Sequence, residues 1–364
     1  MLNSTGKVLA AVVLIALPAA LAQNVPASLQ YSLRYLGPDK AFSRMTMDAA
    51  GNLFYLNSAP AGSAAPFRIT KTDAAGNTLG TFDFGVSGPT AVHAFTADSA
   101  GNVLIAGSST ADDWPLVSPL QTTGGAFLMR IDNQLTKIIF STRLGDTPSS
   151  AYAVAFDTDG NIYVTGTAGA ALPVTPGVFQ PAIPAGADVK TENGFVQKIS
   201  ADGSRIIFST YYTGSESRPT FCLNGLPICI YPFTRPEEIA VDASGNMVIA
   251  GSTSDSVPVT PGAYMTIHPF SSNPVTFVAK IAPGGTKLIW GTLLPVSDIS
   301  GIALDGSGNL VITGATTGTI PTTGNAIQAS LPPAPKPSPE DADQAVSSGY
   351  AGYVMKLDAP AQRF

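Results

Sequence analysis

The stretch Asp157-Thr158-Asp159-Gly160-Asn161-Ile162-Tyr163-Val164-Thr165-Gly166 sets the fold, because its first half recurs at a long, regular spacing. D-x-x-G-N stands before an apolar run at Asp48–Asn52, Asp98–Asn102, Asp157–Asn161, Asp242–Asn246 and Asp305–Asn309. Ahead of the Asp, residues alternate, as in Ile239-Ala240-Val241 and Ile302-Ala303-Leu304; behind the Asn come β-rich runs such as Met247-Val248-Ile249-Ala250-Gly251. The pattern predicts a β-hairpin. The Asp carboxylate accepts backbone N–H groups across the turn, and Gly and Asn tolerate the positive φ it needs. All five Asp residues are therefore read as structural. Asp157–Asn161 also resembles part of a calcium loop, but the distant bidentate Glu of such a loop is missing.

A second hairpin alternates with the first: Phe195-Val196-Gln197-Lys198-Ile199, a turn at Asp202-Gly203, then Arg205 to Thr210, with counterparts starting at Arg68, Phe127, Phe277 and Tyr353. A cation recurs in its first strand, at Lys71, Arg130, Lys198, Lys280 and Lys356. On a third, outer strand such a cation is expected to be solvated or ion-paired rather than to form an anion site. With the strands of a unit labelled A to D, the chain opens on a D-like strand, Leu29–Tyr35, and closes on a C-like one, Tyr353–Leu357. Pairing the two completes a fifth four-stranded sheet and closes a ring without an exposed edge. The expected fold class is all-β, a five-bladed β-propeller occupying residues 23–364 as one domain.

The pattern D-x-x-G-N-x-Y-V-T-G, then V-T-P-G-x-F-Q (Val174–Gln180, more loosely Val259–Met265), then F-V-x-K-I and I-I-F-S-T-Y resembles the SBBP-type β-propeller repeats of bacterial exported proteins. The likeness is strongest in units three and four and weakest in unit one, which lacks the T-P-G segment. It implies the architecture and carries no catalytic residues with it.

Composition agrees. Of 364 residues, Gly 36 and Pro 30 mark a turn-rich chain, and 19 Lys+Arg against 25 Asp+Glu give a net charge of −6, which argues against a nucleic-acid partner. Lys7, the apolar run Val8–Ala22 and the small residues Ala20-Leu21-Ala22 read as a signal peptide, residues 1–22, cleaved after Ala22. No later apolar stretch is long enough for a membrane span, so a secreted or periplasmic protein is expected. In an oxidising compartment Cys222 and Cys229 most simply form a local disulfide, metal ligation being the minor alternative.

The long, irregular B-to-C and D-to-A connections all fall on one face, the expected working face. Trp114, Tyr212, Tyr231 and Phe233 lie in those loops, where aromatic rings either stack on sugars or fold inward over the blade tops. The A strands begin at the same face, so residues five and four before each turn Asp should ring the channel mouth. Those positions hold Ser43 and Arg44, His93 and Ala94, Tyr152 and Ala153, Glu237 and Glu238, and Ser300 and Gly301. Arg44, His93, Tyr152, Glu237 and Glu238 are the candidate binding residues, against the alternative of a solvated mouth with internal ion pairs. No zinc motif, phosphate loop or catalytic Ser motif is present, so neither a catalytic residue nor a cofactor nor a metal is assigned. The expected role is a binding or scaffolding module for a glycan or an extracellular protein. The alternatives are a glycoside hydrolase or polysaccharide lyase working at the mouth, and a structural envelope or matrix protein.

Overall fold

The structure, a computed structural model, describes residues 44–58, 66–185, 192–215, 221–222, 229–230, 232–267, 274–296, 298–316, 320, 322–324, 326, 328 and 351–358. The protein is an all-β propeller of five blades. Blade 1 comprises β1 (Arg44–Met47), β2 (Leu53–Ser58), β3 (Phe67–Thr72) and β4 (Thr78–Phe84). Blade 2 comprises β5 (Thr90–Ala97), β6 (Val103–Ser109), β7 (Ala126–Ile131) and β8 (Ile138–Leu144). Blade 3 comprises β9 (Ser150–Phe156), β10 (Ile162–Ala168), β11 (Asn193–Ile199) and β12 (Ile206–Tyr211). A short hairpin of β13 (Phe221–Cys222) and β14 (Cys229–Ile230) leads to blade 4, formed by β15 (Thr234–Val241), β16 (Met247–Thr253), β17 (Val275–Ile281) and β18 (Leu288–Leu294). Blade 5 is described by β19 (Asp298–Leu304), β20 (Leu310–Thr316) and β21 (Ala351–Leu357). The expected closing strand Leu29–Tyr35 and the signal peptide lie outside the described residues.

Neighbouring strands are antiparallel throughout, so each blade is a meander, and the first strands pack side by side in the order β1, β5, β9, β15, β19. Hydrophobic residues meet between blades. Phe54, Leu56 and Ile69 of blade 1 pack on Ile105 and Phe127 of blade 2, and Leu128 and Phe140 of blade 2 on Val164 and Phe195 of blade 3. The same arrangement joins blades 3 and 4 through Phe208 and Phe277, and blades 4 and 5 through Trp290 and Ile312. A strand buried on both faces explains why the B strands read as continuous apolar runs.

The five D-x-x-G-N turns share one geometry. At Asp157, Oδ1 accepts the N–H groups of Asp159 (3.0 Å) and Asn161 (2.9 Å), Asn161 Nδ2 donates to Oδ2 (3.1 Å), and Gly160 takes φ of 77°. Asp48, Asp98, Asp242 and Asp305 repeat these bonds. Each of these Asp residues also pairs with the recurring cation of its own blade: Asp48 with Lys71 (3.6 Å), Asp98 with Arg130, Asp157 with Lys198 (2.8 Å), Asp242 with Lys280 (2.8 Å) and Asp305 with Lys356 (2.7 Å). Turn and cation thus form one device, and Lys198 and Asn161 occupy the Asp157 carboxylate that resembled a calcium ligand. The same turn occurs a sixth time, at Asp73–Asn77 between β3 and β4, where the motif caps the second hairpin of blade 1.

The T-P-G segments correct one expectation. They do not rise over the working face; they run along the outer edge of their own blade. Thr175 N donates to Ser209 O (3.1 Å), and Gln180 N to Thr210 Oγ1 (3.1 Å), with Tyr211 N returning to Gln180 O (3.0 Å). Thr260 and Met265 do the same along β18, and Val117 and Gln121 along β8. Unpaired N–H and C=O groups of an edge strand are thereby satisfied.

Candidate functional site

The end of the inner strands opposite the turns is built from a repeated irregularity. In β5, Val92 pairs with Gly107 and Ala94 with Ala106, leaving His93 as an extra residue. In β9, Ala151 pairs with Gly166 and Ala153 with Thr165, leaving Tyr152. In β15, Pro236 pairs with Gly251 and Glu238 with Ala250, leaving Glu237; in β19, Ile299 and Gly301 flank Ser300 in the same way. Four blades therefore carry a β-bulge at one register, and the bulged residue is His, Tyr, Glu or Ser. A bulge kinks the strand and re-aims its side chain. The glycine opposite each bulge is a steric requirement: a Cβ on Gly107, Gly166 or Gly251 would lie 1.9 Å from the carbonyl oxygen of Ala91, Ser150 or Arg235.

Two of these bulges bring sequence candidates together. The His93 and Tyr152 rings lie 5.0 Å apart between centroids, inclined at 55°. Burial, helped by the nearby Arg44 charge, lowers the His93 pKa to about 4, so the imidazole is neutral at neutral pH. Burial also lowers the Arg44 pKa, with Glu238 acting in the opposite direction. Glu238 is pushed up to about 7, by burial first and by the adjacent Glu237 second, Arg44 opposing. The Tyr152 phenol is raised by burial and by Glu192. Arg44, His93, Tyr152, Glu237 and Glu238 come from four blades and are all half-buried.

Two members escaped the sequence reading. Glu192 precedes β11 and forms an ion pair with Arg235 of β15; the Arg235 guanidinium also lies over the Phe233 ring, 4.6 Å from its centroid. Burial works against the Arg235 charge, but Glu192 more than restores it, and Tyr152 and Glu237 add to it. Arg235 sits seven residues before its turn Asp, a position that holds Ala91, Ser150 and Asp298 in blades 2, 3 and 5. That chemical diversity was the available signal.

The aromatic platform needs correction. Trp114 is 4% exposed: its ring stacks on Phe127 at 4.0 Å, its Nε1 donates to Ser141 Oγ (2.9 Å), and the Arg143 guanidinium covers it. Tyr212 is fully buried, donates to Pro258 O (2.8 Å) and lies 5.1 Å from Phe277. Both rings belong to the core because the loops that carry or contact them fold back onto the blade edge. Phe233 is half-buried beneath Arg235, and Tyr231 lies outside the described residues. Cys222 and Cys229 face each other in register on β13 and β14; the disulfide itself concerns side chains outside the described ones. Among the described residues no group of three or more His, Cys, Asp and Glu has the arrangement of a metal site, and no helix is long and apolar enough to cross a membrane.

Residues 139–172 match the SBBP family, described as a beta-propeller repeat. They run from β8 through the inner strand β9 to the start of the loop after β10, and so include Tyr152. No curated protein matches the sequence. Similar solved structures include a protein of unknown function from Bacteroides caccae, 10% identical, with a TM-score of 0.40 over 87% of this chain and 77% of that one. The WD40 domain of Neurospora crassa Pan2 is 9% identical, with a TM-score of 0.37 over 75% of this chain and 61% of that one. A GH43_12 from a capybara gut metagenome is 10% identical, with a TM-score of 0.37 over 74% of this chain and 46% of that one. Likenesses this distant carry no argument about chemistry.

Proposed function

On a five-bladed propeller that carries an SBBP-type repeat, we propose that the channel mouth is a binding site for a hydroxyl-rich ligand, a glycan of an extracellular surface. One observation carries this reading: four bulges at the same register each present a different residue, with the His93 and Tyr152 rings in contact and Tyr152 and Glu237 within the field of the Arg235–Glu192 pair. A scaffold needs one satisfactory residue at a repeated position, as the turns at the other end demonstrate. Diversity at a single register of a repeat fits recognition of something that is not itself repeated.

The chemistry favours a polar organic ligand. A metal ion would be repelled by Arg44 and Arg235, and a multiply charged anion by Glu192 and Glu237. Neutral His93 and Tyr152 supply ring faces and hydrogen-bonding groups suited to sugar hydroxyls. Export through the Met1–Ala22 leader would bring the protein to such a ligand.

A hydrolase or lyase is the second reading, and one observation favours it. Glu238 holds its proton near neutrality beside a second carboxylate, Glu237, which is how one acid is kept ready to protonate a leaving group. Isothermal titration of a polysaccharide panel, followed by product analysis, separates the two. Saturable binding without product, lost in Glu237→Gln and Tyr152→Ala, is expected. Product formation that Glu238→Gln abolishes would establish the enzyme instead, and binding that survives all of these substitutions would remove the channel mouth from the account.

A further inference from the structure

We propose that the outer edge of blade 1, strand β4, is a docking site for an extended, uncharged segment of a partner polypeptide, which adds to the blade as a fifth strand.

The outer strands of blades 2, 3 and 4 receive such a segment from their own chain at one fixed register. Counted from the recurring cation, Ser141, Ser209 and Gly291 hold the same place on β8, β12 and β18, and Arg143, Tyr211 and Leu293 the place two residues on. Val117, Thr175 and Thr260 donate their N–H groups to the carbonyls of the first set, at 3.1, 3.1 and 3.0 Å. The N–H groups of that set are bonded in return, by Val117 O (2.8 Å) and by the Thr175 and Thr260 hydroxyls (3.0 and 3.3 Å). The second set donates to the carbonyls of Gln121, Gln180 and Met265, each at 3.0 Å.

β4 has the same register without the cover. Thr70 lies opposite Thr81 and Arg68 opposite Asp83, so Thr81 and Asp83 hold the two places. Their outward N–H and C=O groups have no hydrogen-bond partner among the described residues, and both residues are exposed where Ser141, Ser209 and Tyr211 are at most 2% exposed. The sequence supplies the cause: β2 and β3 are joined by 59–66 with no T-P-G segment, against 110–125, 169–192 and 254–274 in blades 2 to 4. Natural edges are blunted by Lys, Pro, a bulge or a cover. β4 carries neither Lys nor Pro, its bulge sits at the turn end, and its one charge, Asp83, is neutralised by two bonds of 2.6 Å from Arg68. The edge is neutral and open, a template for strand addition.

The covering segments define the occupant. Segments 114–121, 172–180 and 257–265 contain no charged residue, which matches the neutral edge. Each opens on an apolar residue followed by Pro and places a Val or Thr four or five residues ahead of its last acceptor. A second copy has none to spare: those three are bonded to their own blades, and Thr323 and Gln328 in the matching stretch of blade 5 are engaged as well. The segment therefore comes from a different chain.

The test follows amide hydrogen exchange in the full chain, with a capped peptide of residues 172–181 as the probe. Alone, the Thr81 and Asp83 amides should exchange within about tenfold of the open-chain rate, and those of Ser141 and Tyr211 far more slowly. Peptide at about 1 mM should slow the Thr81 and Asp83 amides at least about tenfold. The same peptide N-methylated at Thr175 loses its donor to Thr81 O and should give no protection. Thr81→Pro removes an outward N–H and no ladder bond, so it should erase the protection of Asp83 while the urea midpoint stays near wild type. No protection by the parent peptide, or equal protection by the methylated one, would overturn the proposal. Protection of both amides before peptide is added would overturn it too, and its growth with protein concentration would identify a second copy as the occupant.

Discussion

The two ends of the inner strands invite comparison, because one backbone is repeated around the ring and the ends are used oppositely. At the turn end every described blade carries the same parts: an Asp, a Gly with positive φ, an Asn and a cation. At the bulge end the backbone is equally uniform, with an extra residue opposite a glycine in four blades, yet the side chains are His, Tyr, Glu and Ser. Repetition of both backbone and side chain marks a device for folding each unit. Repetition of the backbone under changing side chains marks a device for placing chemistry. The ends also respond to acid in opposite senses, the turn carboxyls lying below the usual range and Glu238 above it.

The harshest way to break this comparison is to remove the backbone that both ends share. Gly251→Ala places a Cβ 1.9 Å from Arg235 O and 2.8 Å from Glu237 N, against main chain that has no rotamer to escape into. The expected loss is about 3 kcal/mol or more in urea unfolding. A midpoint within experimental error of wild type would mean that the bulge does not depend on glycine.

Asp157→Ala attacks the turn end alone. It deletes the acceptor of two backbone N–H groups and leaves Lys198, which also lies over the Tyr163 ring at 4.9 Å, without its anion. About 2 kcal/mol of stability should be lost, with ligand binding at the mouth unaffected. Burial works against the Asp157 charge, but the bonds from Lys198 and Asn161 outweigh it and hold the carboxyl below its usual range. A depressed folded-state pKa contributes stability that is complete above the unfolded value, about 4, and is lost as the pH falls further. The variant should therefore show a flatter stability curve below pH 4 than wild type.

Most of the turn end was legible in the sequence, because its function is local: Asp157 meets Asn161 four residues away, and the cation recurs at a fixed strand position. The mouth was legible in part. Counting back from each Asp located Arg44, His93, Tyr152, Glu237 and Glu238, since alternation along a strand carries the register to its far end. The bulges were not legible, because an extra residue shows only against the partner strand, although the Gly ending each V-T-G run was their trace. Glu192 was hidden by its loop, whose contact with Arg235 spans 43 residues. The fate of Trp114 and Tyr212 depended on loops folding back along β8 and β18, which no short-range pattern encodes.

Blade 1 sharpens the comparison as its natural exception. Asn57 stands where blades 2 to 5 have Gly107, Gly166, Gly251 and Gly314; it is 4% exposed, and neither of its amide atoms has a hydrogen-bond partner among the described residues. A buried amide without partners is a desolvation cost with no return. Replacing it with an apolar side chain of similar size, Asn57→Leu, should raise stability by about 1 kcal/mol in the same urea titration. A loss of that size would show that the amide is satisfied in solution, and that blade 1 follows the rule of the other four by another route.

The smallest effect on stability is expected at Glu238, and there the sign matters more than the size. Burial and Glu237 raise its carboxyl to about 7, so the folded chain holds a proton that the unfolded chain releases near 4.5. Stability from this group is complete below about 4.5 and falls as the pH rises to 7, the reverse of the Asp157 dependence. Glu238→Gln keeps the uncharged shape at every pH, so it should match wild type at pH 4 and exceed it at pH 8. Because the site is a half-buried rim open to solvent relaxation, the gain at pH 8 should be no more than about 1 kcal/mol. Measured alongside Asp157→Ala, the two variants should bend the pH profile in opposite directions. A Glu238→Gln variant less stable than wild type at pH 8 would mean that the ionised carboxylate is held by Arg44 as a structural pair, and the mouth would then be built on the same plan as the turns.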